Sequence, residues 1–382
     1  MKFFHLSDLH LGKRLNDFSL IDDQRAVLNQ ILIQIDVHSP DGILIAGDIY
    51  DKSVPSAEAV GLFDEFLASL ARRKIKTFII SGNHDSAERI AFGSKIMSSS
   101  GIYLSPVYNG NITPITVSDE HGELNVYLMP FLKPAHVRRF FEDSEIVSYT
   151  DAIRTVIDQM NIDTTKRNVL VAHQFVTGAS ASGSEEEILS VGGSDNVDGG
   201  VFNAFDYVAP GHIHGSQDCS NPKIRYSGTP LKYSFSEINH KKTITVVELG
   251  KKGEELKIST IPLIPERDMK EIRGDFDRLT SPDFYSGTTY QDDYMKIVLT
   301  DENDIPDAVA KLRRIYKNLM RIEYDNSRTR AILTDASVQD VENKSTLQLF
   351  CEFYLSQNGM DMTDDQLSYV KDLIEKMEGG NE

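Results

Sequence analysis

Apolar residues along this chain come in two rhythms. Short unbroken runs, Lys2–Leu6, Ile43–Ala46, Thr77–Ile80, Asn125–Pro130, Asn168–Ala172 and Tyr207–Ala209, have the length and composition of buried strands. Between them, apolar residues recur at helical spacing. Leu28, Ile31, Leu32 and Ile35 mark a helix from about Asp22. Phe63, Phe66, Leu67 and Leu70 mark one over 57–72, and Ile153, Val156, Ile157 and Met160 one over 149–160. Strands alternating with helices predict an α/β domain.

The rhythm changes after residue 230. Two β-rich runs, 243–249 and 256–263, flank a Lys/Gly turn and predict a hairpin. Pro262, Pro265 and a polar stretch to about 291 mark a boundary. A strand 294–299, a helix 304–319 and a strand Arg321–Tyr324 then predict a compact β-α-β cap. Its helix has an apolar face of Ile305, Val309, Leu312, Tyr316 and Leu319. Two amphipathic helices follow, one over 345–356, the other starting at Thr363 with Gln366 as capping-box partner. Two short helices cannot bury two apolar faces alone, so they must dock on this domain or on another protein. The predicted organisation is therefore a domain over 1–265, a cap over 266–335 and a helix pair over 336–382. The Gly/Ser/Glu-rich stretch from Thr177 to Gly200 reads as a long loop, either a substrate cover or a plain connector.

The predicted strands share an ending. Five stop at Asp, Asn or His: Asp8 and His10; Asp48, with Asp51 three residues on; Asn83 and His84; His173; His212 and His214. In α/β sheets, ligands bind beyond the carboxyl ends of strands. Oxygen and imidazole donors without thiolate suit manganese, iron or zinc in an open shell rather than a closed structural zinc site. Seven donors for two octahedral ions would share one carboxylate and leave positions for water and substrate. Two aspartates against two divalent ions leave a surplus of about two positive charges, suited to a phosphate. His5 reads as structural. His38, His121, His136 and His240 have no strand-end setting, and Cys219 and Cys351 read as packing residues.

Composition then narrows the class. At 382 residues the chain can build more than one domain. A net charge of -18 argues against broad electrostatic adhesion to nucleic acid, though not against a nucleic-acid enzyme that carries its own metals. No apolar run reaches membrane-span length, so no membrane association is expected. His5, Asp8 and His10 interrupt any signal-like N-terminus. Two distant cysteines make a disulfide framework unexpected and fit a cytoplasmic address.

Asp8-Leu9-His10, Gly47-Asp48-Ile49-Tyr50-Asp51, Gly82-Asn83-His84-Asp85, His173 and Gly211-His212-Ile213-His214 together resemble the calcineurin-like metallophosphoesterase signature. Within that superfamily, the runs His5–Gly12, Gly82–Ser86 and Ser227–Glu237 are similar to the SbcD family of nuclease subunits. The resemblance covers nearly the whole chain and is weakest from about 265 onward. It implies a two-sheet sandwich flanked by helices, a small α/β cap and two manganese ions. By the family pattern Asp8, His10 and His214 hold one ion, Asn83, His173 and His212 the other, and Asp48 bridges them. An aspartate at position 51 sets the chain on the bacterial side of the family.

The reaction so implied is metal-dependent phosphodiester hydrolysis. His84 follows a ligand directly and is the expected donor of the leaving-group proton, with Asp51 as the charge that favours its imidazolium. The resemblance further implies DNA as substrate, an SbcC-type ATPase with a coiled coil as partner, and a homodimer within a heterotetramer, for which helix 57–72 is a candidate face. Lys311, Arg313, Arg314 and Lys317 on the cap helix are candidate DNA contacts, set against the plainer reading of a solvated helix face. A small-molecule phosphodiesterase or protein phosphatase of the same superfamily is the rival enzyme. A scaffold for the ATPase is the non-enzyme alternative, and the complete donor set argues against it.

Overall fold

A computed structural model of the chain describes residues 1–141, 145–181, 183, 196–219, 221–327, 329, 346–358 and 361–378. The strands in chain order are β1 (Lys2–Leu6), the short pair β2 and β3 (Arg14–Leu15, Phe18–Ser19), β4 (Gly42–Ala46), β5 (Lys76–Ile80) and β6 (Ile102–Leu104). Next come β7 (Ile115–Asp119), β8 (Gly122–Leu128), β9 (Arg167–His173), β10 (Tyr207–Gly211) and a second short pair, β11 and β12 (Gln217–Asp218, Arg225–Tyr226). The last are β13 (Thr243–Glu248), β14 (Lys257–Pro262), β15 (Met269–Gly274), β16 (Tyr294–Leu299) and β17 (Asn318–Tyr324).

The unbroken apolar runs become the inner strands of two facing sheets. One sheet has the order β14-β13-β1-β4-β5-β6, the other β10-β9-β8-β7. Strands β1, β4, β5 and β6 run parallel, as do β8, β9 and β10, while the hairpin β13–β14 closes one edge antiparallel. Phe3, Leu44, Ala46, Phe78 and Ile80 of the first sheet meet Leu124, Val126, Val169, Val171 and Ala209 of the second in a fully enclosed core. Each such side chain contributes about 1.5–3 kcal/mol by leaving water.

Helices cover the outer faces. The helices Ile21–His38 and Ala57–Arg72 bury Val27, Leu28, Ile31, Leu62, Phe63 and Phe66 against the first sheet. Ser56 starts the second helix, its hydroxyl accepting from the Ala59 N–H at 3.2 Å. The helix Tyr149–Gln159 opens with a Ser148/Asp151 capping box and buries Ile153 and Val156 on the second sheet.

The chain divides into two compact units. The first comprises Met1–Ile272, Thr280–Ile297 and Asp307–Ile322, and holds the sandwich; the second comprises Arg273–Leu279, Val298–Pro306 and Glu323–Glu382. In the second, Asn326 is buried and donates to the Asp301 carbonyl at 3.1 Å. Its two long helices, Thr346–Asn358 and Asp364–Glu378, are linked by Tyr354 and Gln366 side chains 3.4 Å apart. The expected capping box is present, with the Gln366 N–H 3.4 Å from Thr363 Oγ1 and the Thr363 N–H 3.0 Å from Gln366 Oε1. Phe350, Phe353, Leu367, Tyr369 and Leu373 on this pair are exposed.

The helix expected over 304–319 is much shorter. It runs Ala308–Arg313, because Asp307 takes a left-handed φ of 55° at its start and β17 begins already at Asn318. Leu312, Tyr316 and Leu319 are all buried and so mimic one helical face, although Leu319 belongs to the strand; Val309, counted on that face, is exposed. Most of the 177–200 stretch, from 184 to 195 together with 182, lies outside the described residues. The linking residues 336–345 also lie outside them.

Candidate metal centre

The parallel strands of both sheets deliver their carboxyl ends to one place. The loops after β1 and β4 are zipped by main-chain bonds: the Asp8 N–H donates to the Gly47 carbonyl (3.1 Å), His10 to Asp48 (2.9 Å) and Leu11 to Ile49 (2.9 Å). The backbone around the cluster is unusual. Asp8, His10, Asp48 and His212 all have positive φ, at 53°, 44°, 47° and 100°. Such conformations cost on the order of 1–3 kcal/mol each and persist only where the surroundings over-determine them. Two glycines let the loops come this close. A Cβ on Gly82 would strike the Asp48 carboxylate, and one on Gly211 would strike the Ala46 carbonyl.

All seven residues expected to hold metal fall in this cluster. Donor atoms of Asp8, His10 and His214 lie within 4.8 Å of one another, as do those of Asp8, Asp48 and His173, and of His10, Asp48 and His84. Asn83 Oδ1 stands 2.9 Å from His173 Nε2 and 3.0 Å from His212 Nδ1. His10 Nε2 and His214 Nε2 face each other at 3.2 Å. The Asp8 carboxylate also accepts from the His212 N–H at 3.0 Å, tying the two sheets together at their ends.

The hydrogen bonds behind these atoms indicate what the cluster can hold. His173 Nδ1 lies 2.7 Å from the Ala46 carbonyl, so that nitrogen carries the ring proton. In the neutral ring His173 Nε2 would be an unprotonated lone pair, yet it faces two acceptors, Asn83 Oδ1 and Asp48 Oδ2, the latter at 3.4 Å. His214 Nδ1 likewise turns to the Glu237 carboxylate at 3.2 Å, which points its Nε2 towards His10. Lone pairs aimed at one another need a cation or a proton between them. The donor set therefore fits divalent metal.

Without metal the cluster fills that need with protons. Burial works against a charged His173, but the Asp48 carboxylate outweighs it and pushes the imidazole up to about 9. Burial also opposes charge on Asp48, yet His173, His10 and His84 together hold its carboxyl far below the usual range. Burial raises Asp8 to about 6 and lowers His10 well below an ordinary imidazole.

His84 sits at the edge of the cluster, its Nε2 3.9 Å from Asp48 Oδ2 and its N–H donating to Asp48 Oδ1 at 2.9 Å. The expected pairing of its ring with Asp51 takes another form. His84 Nδ1 lies 3.0 Å from the Asp51 main-chain carbonyl, while the Asp51 carboxylate pairs with Lys13 at 2.8 Å and comes within 3.9 Å of His10 Nδ1. The turn after β4 sends the Asp51 side chain back towards the β1 loop, which spacing along the chain could not reveal.

Three supporting groups escaped the sequence reading. Asp85 accepts from the N–H groups of Ile49, Tyr50 and Gly82 at 2.9–3.0 Å and so locks two strand-end loops together. Burial, then the nearby Asp48 charge, raises its carboxyl to about 6. Glu237, fully buried, joins His214 to Lys242 (2.5 Å) and Thr229 (3.3 Å). Gln24 donates to the His10 carbonyl at 2.7 Å. Asp85 and Glu237 lie inside the quoted runs 82–85 and 227–237, so their positions were on view, but their contacts depend on topology. Lys311, Arg313, Arg314 and Lys317 are exposed on and just after the helix Ala308–Arg313, where Lys317 pairs with Asp292 at 3.1 Å. His5 is buried, with its Nδ1 2.9 Å from Tyr207 Oη.

Comparison with known proteins agrees with this geometry. Residues 1–216 match the family model of calcineurin-like phosphoesterases, and residues 265–358 match one described as the type 5 capsule protein repressor C-terminal domain. The family and the donor clusters together support a centre for two divalent metal ions. Among solved structures, a dimetal phosphatase from Danio rerio aligns with a TM-score of 0.42 at 12% identity, over 69% of this chain and 97% of that one, too loosely to bear on the assignment. Among the described residues no helix is long and apolar enough to cross a membrane. The SbcD subunit of the SbcCD nuclease of Staphylococcus epidermidis is 32% identical over 385 residues, covering 99% of this chain and 100% of that one. Its counterpart in Staphylococcus saprophyticus is 31% identical over 379 residues, covering 98% of each. At that identity over that length, the chain belongs to the SbcD family of nuclease subunits, hydrolases built on the calcineurin-like phosphoesterase fold.

Proposed function

We propose that the chain hydrolyses phosphodiester bonds of DNA at a two-manganese centre held by Asp8, His10, Asp48, Asn83, His173, His212 and His214. The observation that carries this reading is the convergence of imidazole nitrogens with carboxylate and amide oxygens at the strand ends. Two bound divalent ions supply an acidified water and neutralise charge growing on the phosphoryl oxygens. Asp48, flanked by donors of both trios, would help to hold both ions. His84 gives the leaving oxygen its proton. The Asp51 carbonyl, 3.0 Å away, orients its Nδ1, and its Nε2 stands 3.9 Å from Asp48 Oδ2 at the edge of the cluster. The Asp51 carboxylate, paired with Lys13, orients the His10 ring instead.

The chain works in the cytoplasm as a double-strand exonuclease and a single-strand or hairpin endonuclease. It acts as a homodimer within a heterotetramer with an SbcC-type ATPase, in DNA repair and recombination. The exposed apolar side chains of the helix pair after 345 support docking of that ATPase there, and deleting 340–382 should abolish co-purification. Manganese-dependent degradation of linear duplex DNA by the purified protein, abolished by chelation and restored by manganese, tests the reading. Turnover of a small phosphodiester with no DNA cleavage, with or without the ATPase, would favour the rival phosphodiesterase instead.

A further inference from the structure

The segment after β8, a loop running into the short helix Pro134–Arg138, carries a group of basic residues that the reaction as described does not use. Lys133, His136, Arg138 and Arg139 lie within seven residues of a chain whose net charge is -18, just ahead of the acidic Glu142, Asp143 and Glu145. Phe131 joins this loop to the metal centre. Its ring lies nearly parallel to His212, with 17° between the planes and 6.4 Å between centroids, and edge-on to His173 at 6.1 Å. The Lys133 ammonium sits over the same Phe131 ring, 5.7 Å from its centroid. Phe131 is only half-buried, so an apolar ring remains at the rim of an otherwise polar site.

The loop is fixed on both sides. The Phe131 N–H donates to the Ser81 carbonyl at 2.9 Å, beside the Asn83–His84 turn, and the Leu132 carbonyl accepts from Gln174 at 3.0 Å, next to His173. Two candidate ligands' neighbours thus pin the base of the loop, and the cation–π contact sets the direction of Lys133. An exposed lysine loses rotamer entropy each time it grips a phosphate, and one already held over a ring loses less. The ammonium lies over the same aromatic ring that packs against a candidate metal-binding histidine. A lone phosphodiester in the centre has no second phosphate to offer it, whereas a polynucleotide strand does.

We infer that Lys133, positioned by Phe131, contacts a backbone phosphate flanking the scissile one, so that this rim selects a nucleic-acid strand over a small phosphodiester. The inference rests on the nuclease reading above and adds to it where the strand leaves the centre. His136 is part of the same group: burial, then the charges of Arg139 and Lys133, lower its imidazole below the ordinary range. Lys133 is the member of the group whose ammonium lies over the ring that also meets His212 and His173.

The test compares Lys133→Gln and Lys133→Arg with the parent protein on two substrates. One is a single-stranded oligonucleotide and the other bis(p-nitrophenyl) phosphate, which has no flanking phosphate. Lys133→Gln should raise KM for the oligonucleotide about five- to tenfold with kcat nearly kept, and flatten the salt dependence of its binding by about one unit of slope. The arginine variant should restore most of the loss. The loss in kcat/KM should be several-fold larger on the oligonucleotide than on the small diester. An equal loss on both substrates would reduce Lys133 to a prop for the His212 ring and overturn the inference, as would an unchanged KM. A parent protein that turns over the small diester and never cleaves DNA would instead bring down the nuclease reading itself, a pattern none of the other outcomes produces.

Discussion

Lys317 lies 3.1 Å from the carboxylate of Asp292, whereas Asp48 lies 3.4 Å from the nearest imidazole nitrogen of His173. The looser pair is the consequential one. Lys317 and Asp292 are 69% and 76% exposed, so water and salt screen them and their attraction is worth little. Asp48 and His173 are 3% and 0% exposed. There the same charges move each other's protonation and demand a compensating cation. The cap helix offers charge on a surface, and the strand ends hold charge in a box. Distance alone would rank the two regions the wrong way round; burial and convergence rank them correctly.

That contrast can be broken in graded steps. Replacing His84 by alanine should cost about a hundred- to ten-thousandfold in kcat, while metal content measured by atomic emission stays near two ions per chain. Near-normal turnover would remove His84 from the chemistry. Glu237→Gln should weaken metal affinity about ten- to a hundredfold, since His214 then loses the carboxylate that fixes its tautomer. Because the change also strands the buried Lys242, Glu237→Gln with Lys242→Met separates a folding defect from a metal defect. Unchanged affinity in a folded double variant would make Glu237 merely structural.

A third step uses pH. His173 is pushed up to about 9 in the metal-free protein, and metal must displace that proton. Affinity should thus be full above about pH 9 and fall roughly tenfold per unit below it, with proton release visible as a buffer-dependent heat in titration calorimetry. Binding heats independent of buffer would contradict the assignment of His173. The smallest effect belongs to the exposed helix. Reversing Lys311, Arg313, Arg314 and Lys317 together should lower DNA affinity modestly and flatten its salt slope, with kcat intact. An unchanged slope would leave that face merely solvated.

The two regions also differ in how far they could be read in advance. The strand ends were legible because a period-free apolar run has one common fate in an α/β protein, and five of the six runs were followed closely by a donor. What could not be read was which atom of a residue points where. Asp51 was expected to give its carboxylate to His84 and gives its carbonyl instead. Asp85 reaches across 36 and 35 residues to Ile49 and Tyr50, and Glu237 across 23 to His214, separations over which only the topology decides a contact. In the cap, apolar spacing fitted helix and strand alike, so the helix was drawn through residues that β17 uses.

The central claim is that Asp48 touches two metals. A crystal of the protein soaked in manganese and measured at the manganese absorption edge tests it directly. The account predicts two anomalous peaks about 3.5–4 Å apart, one on the Asp8, His10 and His214 side and one on the Asn83, His173 and His212 side, with Asp48 between them. A single peak, or a pair that leaves Asp48 bound to one ion alone, would contradict it.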